Sequence, residues 1–292
     1  MKNNLFTGAS TALITPFSDG RTDLEAFGRI IELQLGANIP ALTVCGTTGE
    51  SATLDEREKL DLISFSVSRA AGRAKVIAGT GSNDTAKAVR LSRAAESAGC
   101  DALLVVTPYY NKASPEGLFR HYSEIASATS LPVILYNVPS RTGLDAPNGI
   151  IKRLFDSGAI AAVKEASGNI SKTAELVSLC PGLSVYSGND DAILPNLSLG
   201  GRGVISVLSN LLPGEVQGLC TDFLEGRTEA AALRQARLYP LIRALFSSVN
   251  PIPVKYIMSR LGLCRAEYRL PMAAPTREAK EHLDRVFEDY FS

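Results

Sequence analysis

Thr85-Ala86-Lys87-Ala88-Val89-Arg90-Leu91-Ser92-Arg93-Ala94-Ala95-Glu96-Ser97-Ala98, then Gly99-Cys100-Asp101, then Ala102-Leu103-Leu104-Val105-Val106, is the stretch that sets the architecture. Its first part keeps a helical period and stops at Gly99, a residue type suited to the left-handed position just past a helix end. Its last part is apolar on consecutive positions rather than alternate ones. Strands of that kind are buried on both faces, as in a parallel sheet covered by helices.

Working outward, similar runs recur at Ala9–Ile14, Ala41–Cys45, Lys75–Ala78, Pro132–Tyr136, Ile160–Val163, Leu183–Tyr186 and Gly203–Val207. Segments of helical period lie between them. Asp55–Ala71 puts Leu60, Ile63 and Val67 on one face and Arg57, Lys59 and Asp61 elsewhere, with Thr53 and Glu56 as the expected capping box. Eight strand-like runs, each followed by a helix-like one, are what a closed barrel needs. An open doubly wound sheet is the competitor, and the lack of a Gly-x-Gly-x-x-Gly after the first run weakens its dinucleotide-binding form. The expected class is therefore α/β: a (β/α)8 TIM barrel over residues 1–225 that carries the active site. Residues 226–292 contain no strand-like run and read as about three helices packed on the barrel, broken near Pro251–Pro253 and Pro271–Pro275.

Lys+Arg and Asp+Glu both number 30, a zero net charge that argues against nucleic acid or a membrane surface as partner. The five cysteines, Cys45, Cys100, Cys180, Cys220 and Cys264, are odd in number and show no Cys-x-x-Cys pair. Free thiols in a reducing compartment are expected. Met1–Thr15 holds one early lysine and no long apolar segment, and no run approaches the roughly 18 residues of a spanning helix. The chain is expected to be cytoplasmic. Only two histidines occur, His121 and His282, far apart on separate helical segments, so neither a metal site nor Ser/Cys–His chemistry is expected.

In a barrel, reactive groups belong at the C-terminal ends of strands. Lys164 follows Ile160–Val163 and points either into the barrel mouth or outward. Outward, it is a solvated lysine. Inward, burial disfavours the ammonium form of an amine, and a free amine attacks a ketone to give an iminium, an electron sink. Tyr136 ends the fifth run and is either a packing aromatic or a proton carrier beside Lys164. Arg141, in the following loop, is either solvated or set to hold a carboxylate through two parallel contacts. Gly46-Thr47-Thr48-Gly49-Glu50-Ser51 reads as a plain turn or as a nest for a small anion. Tyr109 and Tyr110 read as a lid or an oligomer contact.

At Gly46–Ser51, Thr107–Asn111 (TPYYN), Tyr136–Gly143 (YNVPSRTG), Lys164–Asn169 (KEASGN) and Ser187–Asp191 (SGNDD), the chain resembles the dihydrodipicolinate synthase and N-acetylneuraminate lyase superfamily. The likeness runs from Gly8 to the C-terminal helices. It implies a lyase that condenses pyruvate with L-aspartate 4-semialdehyde through a Schiff base, on the path to diaminopimelate and lysine, with no metal or organic cofactor. It further implies Lys164 as the Schiff-base lysine, and Thr47, Tyr136 and Tyr110 as a proton relay, with Tyr110 reaching in from a neighbouring subunit. Thr48 would hold the pyruvate carboxylate and Arg141 that of the semialdehyde, while Gly188 and Ile205 line the pocket. A homotetramer built as a dimer of dimers is implied too. Two other readings stand beside it: a lyase for N-acetylneuraminate or a 2-keto-3-deoxy sugar acid, and a keto-acid sensor without turnover. Sialic acid lyases share the lysine and tyrosine but generally lack an arginine at position 141. Feedback-inhibited members resemble this chain at Ser51, Ala52, Asn83 and Tyr109, but carry histidine where Glu56 and Lys59 stand and glutamate where Lys87 stands. Weak or absent inhibition by lysine is therefore expected, since a like-charge contact at about 4 Å costs on the order of 1 kcal/mol even when screened.

Overall fold

The computed structural model describes residues 5–292. Eight parallel strands close into a barrel: β1 (Gly8–Ala12), β2 (Ala41–Val44), β3 (Lys75–Gly79), β4 (Ala102–Val106), β5 (Val133–Asn137), β6 (Ala162–Glu165), β7 (Ser184–Ser187) and β8 (Gly203–Ser206). Each pairs with its sequence neighbours, and β1 closes the ring by pairing with both β2 (Ser10↔Ala41) and β8 (Gly8↔Gly203). Every expected run is a barrel strand. Most boundaries shifted by one or two residues, and two of the shifts have a backbone reason. Pro132 has no N–H to give the ladder, so β5 starts at Val133. The ladder also continues past the apolar run into Lys164 and Glu165, because Tyr136↔Lys164 and Asn137↔Glu165 pair whatever their side chains.

Consecutive apolar residues serve two separate cores. Leu42, Val76, Leu103, Val105, Leu135, Val163 and Val185 face outward against the helices. Ala12, Ala41, Ile77, Ala102, Leu104, Ile134, Tyr136, Ala162, Tyr186 and Ile205 face the lumen, which Phe6 joins by stacking on Tyr186 at 4.1 Å. Both faces of each strand are dry, which is why the runs show no alternation.

The helices between strands are α1 (Leu24–Gly36), α2 (Glu56–Ala70), α3 (Thr85–Ser97), α4 (Pro115–Ser127), α5 (Asn148–Asp156), α6 (Ile170–Leu179), α7 (Ile193–Ser198) and α8 (Pro213–Leu224). Gly99 sits just past α3 with φ 89°, as its place in the sequence suggested. The start of α2 differs. Ser51–Thr53 forms a short 3-10 turn, and the capping box is Asp55 with Glu58, not Thr53 with Glu56. The buried face of α2 is Lys59, Leu62, Ile63, Ser66 and Ala70, with Leu60 and Val67 on its flanks. Placing Lys59 off the Leu60, Ile63 and Val67 face turned the expected face by part of a turn. Three further helices follow, α9 (Thr228–Leu245), α10 (Ile252–Arg260) and α11 (Arg277–Phe291), with breaks at both proline clusters; α9 packs on α8 and α11. Among the described residues no helix is long and apolar enough to cross a membrane. The five cysteines are unpaired, and burial pushes the Cys45, Cys100 and Cys220 thiols up to about 12.

His121, on α4, is 5% exposed. Its Nδ1 meets the Thr85 hydroxyl at 2.9 Å, and its Nε2 is buried without a partner. Burial holds its imidazole down at about 4, against the weak opposing pull of Asp84. Between about pH 6.5 and 4 the unfolded chain therefore binds a proton that the native chain refuses, and stability falls as pH falls through that window. The loss should total about 3 kcal/mol. Urea midpoints at pH 7 and pH 4.5 should show it, and His121→Gln should flatten the slope; an unchanged slope in that variant assigns the loss to other groups.

Candidate active site

Strand parity decides the direction of Lys164. On β6, Ala162 faces the lumen and Val163 the helices, so Lys164 faces the lumen. The ladder sets it level with Tyr136 on one side and Tyr186 on the other. Lys164 is 5% exposed and Tyr136 is 6% exposed, and the lysine Nζ stands 4.3 Å from the Tyr136 ring centroid. The adjacent Glu165 does not neutralise it. Glu165 has the opposite parity, and its carboxylate accepts from Asn137 Nδ2 at 2.9 Å and from the Ser167 N–H at 2.6 Å. Among the described residues Lys164 has no ion-pair partner.

Gly188 follows β7 and leaves the lysine its space. A Cβ there would stand 2.5 Å from the Ala166 Cβ and 3.1 Å from the Lys164 Cε. Ile205, on β8, is fully buried in the same lumen cluster as Tyr136 and Tyr186. Asp190 braces the end of that strand, its Oδ2 accepting from the N–H groups of Val207 and Leu208 at 3.1 and 3.0 Å. Burial raises its carboxyl above the ordinary range. A groove of about 830 Å³ reaches Ala166 from outside, between the loops after β6 and β7 and helices α9 and α11; Asn189, Asp190, Arg243 and Phe246 line it.

The turn after β2 lies at the same end of the barrel, past the C-terminal end of its strand. Cys45 and Glu50 both have left-handed φ, 56° and 53°, and bracket Gly46–Gly49. The turn approaches β3 so closely that only glycine fits at Gly79, where a Cβ would stand 2.1 Å from the Cys45 carbonyl oxygen. Gly49 and Glu50 N–H groups bond back to Gly46 and Thr47 carbonyls, both at 3.1 Å. Those two donors are consumed inside the turn, which narrows the expected nest. Among the described residues the N–H groups of Thr47 and Thr48 donate to nothing, and they are what the turn offers an anion. Thr48 is buried and its hydroxyl accepts from Asn250 Nδ2 at 3.0 Å, whereas Thr47 is half-buried.

Arg141 sits on a single helical turn, Pro139–Thr142, beyond β5, exposed, with its Nη2 donating to the Asn250 carbonyl at 3.1 Å. Tyr110 is apart from this group. It is 91% exposed at φ 71° beside a partly exposed Tyr109, so within one chain it does not join Lys164. Asn250 went unnoticed in the sequence, although it touches both Thr48 and Arg141. Its only local signal was the following Pro251, which reads as a helix breaker. The buried Glu50–Lys255 pair below the turn was equally invisible.

A lumen-facing lysine over a tyrosine, with an anion-receiving turn and an arginine at the rim, is a place to capture a small keto acid. The family model described as "Dihydrodipicolinate synthetase family" matches residues 5–289. The chain belongs to the dihydrodipicolinate synthetase family. It is similar to the 4-hydroxy-tetrahydrodipicolinate synthase of Caldicellulosiruptor bescii, 49% identical over 98% of each chain. The dihydrodipicolinate synthase structure from Aquifex aeolicus is 42% identical and superposes with a TM-score of 0.96 over 98% of each chain. The family member from Cyanidioschyzon merolae, solved with lysine bound, is 37% identical, with a TM-score of 0.95 over 98% of each chain. The fold expected from the alternation of runs is thus also the fold of these dihydrodipicolinate synthetase family members.

Proposed function

We propose that this chain is a lyase that condenses pyruvate with L-aspartate 4-semialdehyde through a Schiff base on Lys164, the 4-hydroxy-tetrahydrodipicolinate synthase reaction of diaminopimelate and lysine synthesis. The observation that carries the reading is the inward, buried, unpaired Lys164 amine over Tyr136. Thr48 and the free N–H groups of Thr47 and Thr48 hold the pyruvate carboxylate. The Lys164 amine adds to the keto carbon, water leaves, and the iminium gives up a methyl proton to become an enamine. Tyr136 and Thr47 move the protons, with Tyr110 of a second subunit completing the relay. The enamine carbon attacks the aldehyde, whose own carboxylate Arg141 holds. The substrate amine then attacks the former keto carbon, closes the ring and frees Lys164. Gly188 and Ile205 shape the space around the lysine.

A homotetramer acting in the cytoplasm accords with this reading. The almost fully exposed Tyr110, strained into a left-handed conformation beside the mouth, supports a contact there with another copy. The deciding experiment is turnover of pyruvate plus the semialdehyde, run beside cleavage of N-acetylneuraminate and 2-keto-3-deoxy-gluconate. Turnover confined to the sugar acids, or imine trapping without any turnover, overturns the proposal in favour of the lyase or the sensor reading respectively.

Lysine should not inhibit. Lys59 is buried and desolvation lowers its ammonium, which Lys87 also presses on as a like charge; Glu56 is engaged by Arg90 at 3.3 Å. An ammonium ligand arriving beside Lys59 and Lys87 meets repulsion rather than a carboxylate. Initial rates with millimolar lysine should match those without it; half-maximal inhibition below 1 mM, a threshold of about 4 kcal/mol in binding, contradicts this.

A further inference from the structure

We propose that the buried Lys255–Glu50 ion pair holds the Thr47–Thr48 turn in its pyruvate-receiving shape, which makes Lys255, on helix α10 beyond the barrel, a positioning residue for the first half of the reaction. This rests on the reading of Lys164 as the pyruvate-binding amine.

Glu50 ends the turn with a left-handed backbone that a residue with a side chain adopts only when its surroundings hold it. What holds it comes from the far end of the chain. Its Oε1 accepts from Lys255 Nζ at 2.5 Å, and both side chains are 0% exposed. Its Oε2 lies 3.4 Å from the Arg269 N–H that donates to it. Lys255 Nζ also stands 4.1 Å from the Phe17 ring centroid and 5.5 Å from that of Tyr268, so the ammonium is walled by two aromatic faces and one carboxylate. The same helix reaches the turn a second time. Asn250, just before α10, donates to the Thr48 hydroxyl, and the Lys255 N–H bonds to the Pro251 carbonyl at 3.0 Å. The turn therefore has two ties at the start of α10, Lys255 in its first turn and Asn250 just before it, besides the Arg269 N–H.

Release of the Glu50 tie lets its backbone relax toward the ordinary right-handed region. The Glu50 N–H bond to the Thr47 carbonyl then turns, and with it the direction of the free Thr47 and Thr48 N–H groups. Arg141 is less exposed to this change, because neither of its anchors involves Glu50: its own N–H is fixed to the Val138 carbonyl at 2.9 Å and its Nη2 donates to the Asn250 carbonyl at 3.1 Å. The effect should fall on pyruvate and largely spare the second substrate.

The test is the double variant Glu50→Gln/Lys255→Met, which removes both charges and keeps similar size, in the full chain. A single change would leave an uncompensated buried charge. With folding checked by circular dichroism, the pyruvate KM should rise by about tenfold or more and the rate of borohydride trapping of pyruvate at Lys164 should fall in step, while the semialdehyde KM changes by less than about threefold. A folded double variant with the parent's pyruvate KM and trapping rate makes the pair purely structural and overturns the proposal. Should the double variant not fold, Glu50→Asp keeps the charge and shortens its reach, and the same rise in pyruvate KM, or its absence, decides. Trapping on the unaltered protein runs alongside. No adduct at Lys164 there defeats the lysine reading and this proposal with it, whereas equal adduct formation in parent and variant defeats this proposal alone.

Discussion

Lys164→Ala should lower turnover by at least about 10³-fold, which corresponds to roughly 4 kcal/mol of lost barrier reduction. The geometry makes the effect specific to the amine. The Lys164 side chain has no ion-pair partner among the described residues, and the opposite charge it acts on, the buried Asp190 carboxyl, is held first by its own bonds to the Val207 and Leu208 N–H groups. Its stem lies against Gly188 and the Tyr136 ring, and truncation leaves a small gap at the open end of the lumen rather than in the outer core. The melting temperature should accordingly change little while activity disappears. Lys164→Arg sharpens the test, since it keeps a long nitrogen-bearing side chain in the lumen but carries no amine able to form an imine at neutral pH. Both variants should fail to retain pyruvate after borohydride reduction, and mass spectrometry of the parent should place the adduct on the peptide containing Lys164. Substantial turnover by either variant, or an adduct mapped to another lysine, removes the basis of the proposed mechanism.

The barrel was legible because its strands are dry on both faces. A run such as Ala102–Val106 needs no partner to be recognised, and the lumen and outer cores each take alternate members of it. The direction of Lys164 was not legible, since a strand end carries no parity mark of its own. It became fixed only when Ala162 was seen inside and Tyr136 level with the lysine. Local capping signals were readable in kind but not in place. The acceptor-x-x-Glu pattern occurs at both Thr53 and Asp55, and the 3-10 turn at Ser51–Thr53 selects the second. Lys59 misled the reading of α2 because a charged residue was placed off the apolar face and is part of the buried face instead. The ties from Asn250 and Lys255 to the turn after β2 could not be read at all. They join residues more than two hundred positions apart, and nothing in Asn250-Pro251-Ile252-Pro253 distinguishes a hinge between helices from a clamp on an active site. Tyr110 shows another limit, since a side chain that points away from its own chain acquires any catalytic meaning only from a second copy.

Tyr136→Phe should lower kcat by about 10² to 10³-fold while leaving the pyruvate KM within a few fold. The substitution removes one oxygen and keeps the ring, so the aromatic face under the Lys164 amine at 4.3 Å persists and the lysine keeps its place. The carboxylate-holding N–H groups of Thr47 and Thr48 lie on a separate loop and are untouched. What disappears is a hydroxyl on the strand beside the reacting amine, where imine formation, enamine formation and ring closure each need a proton moved. A packing role predicts another pattern: the ring alone would suffice and kcat would hold. The two roles separate further in single-turnover experiments. If the phenol carries protons, borohydride trapping should slow along with exchange of the pyruvate methyl protons into deuterated water, because both steps pass through the same relay. Tyr110→Phe should show the same slowing only if a neighbouring subunit delivers that residue to the mouth, so its effect should vanish in a preparation diluted to the monomer. A Tyr136→Phe variant that turns over within a few fold of the parent would reduce Tyr136 to a wall of the lumen and leave the proton path to be found elsewhere.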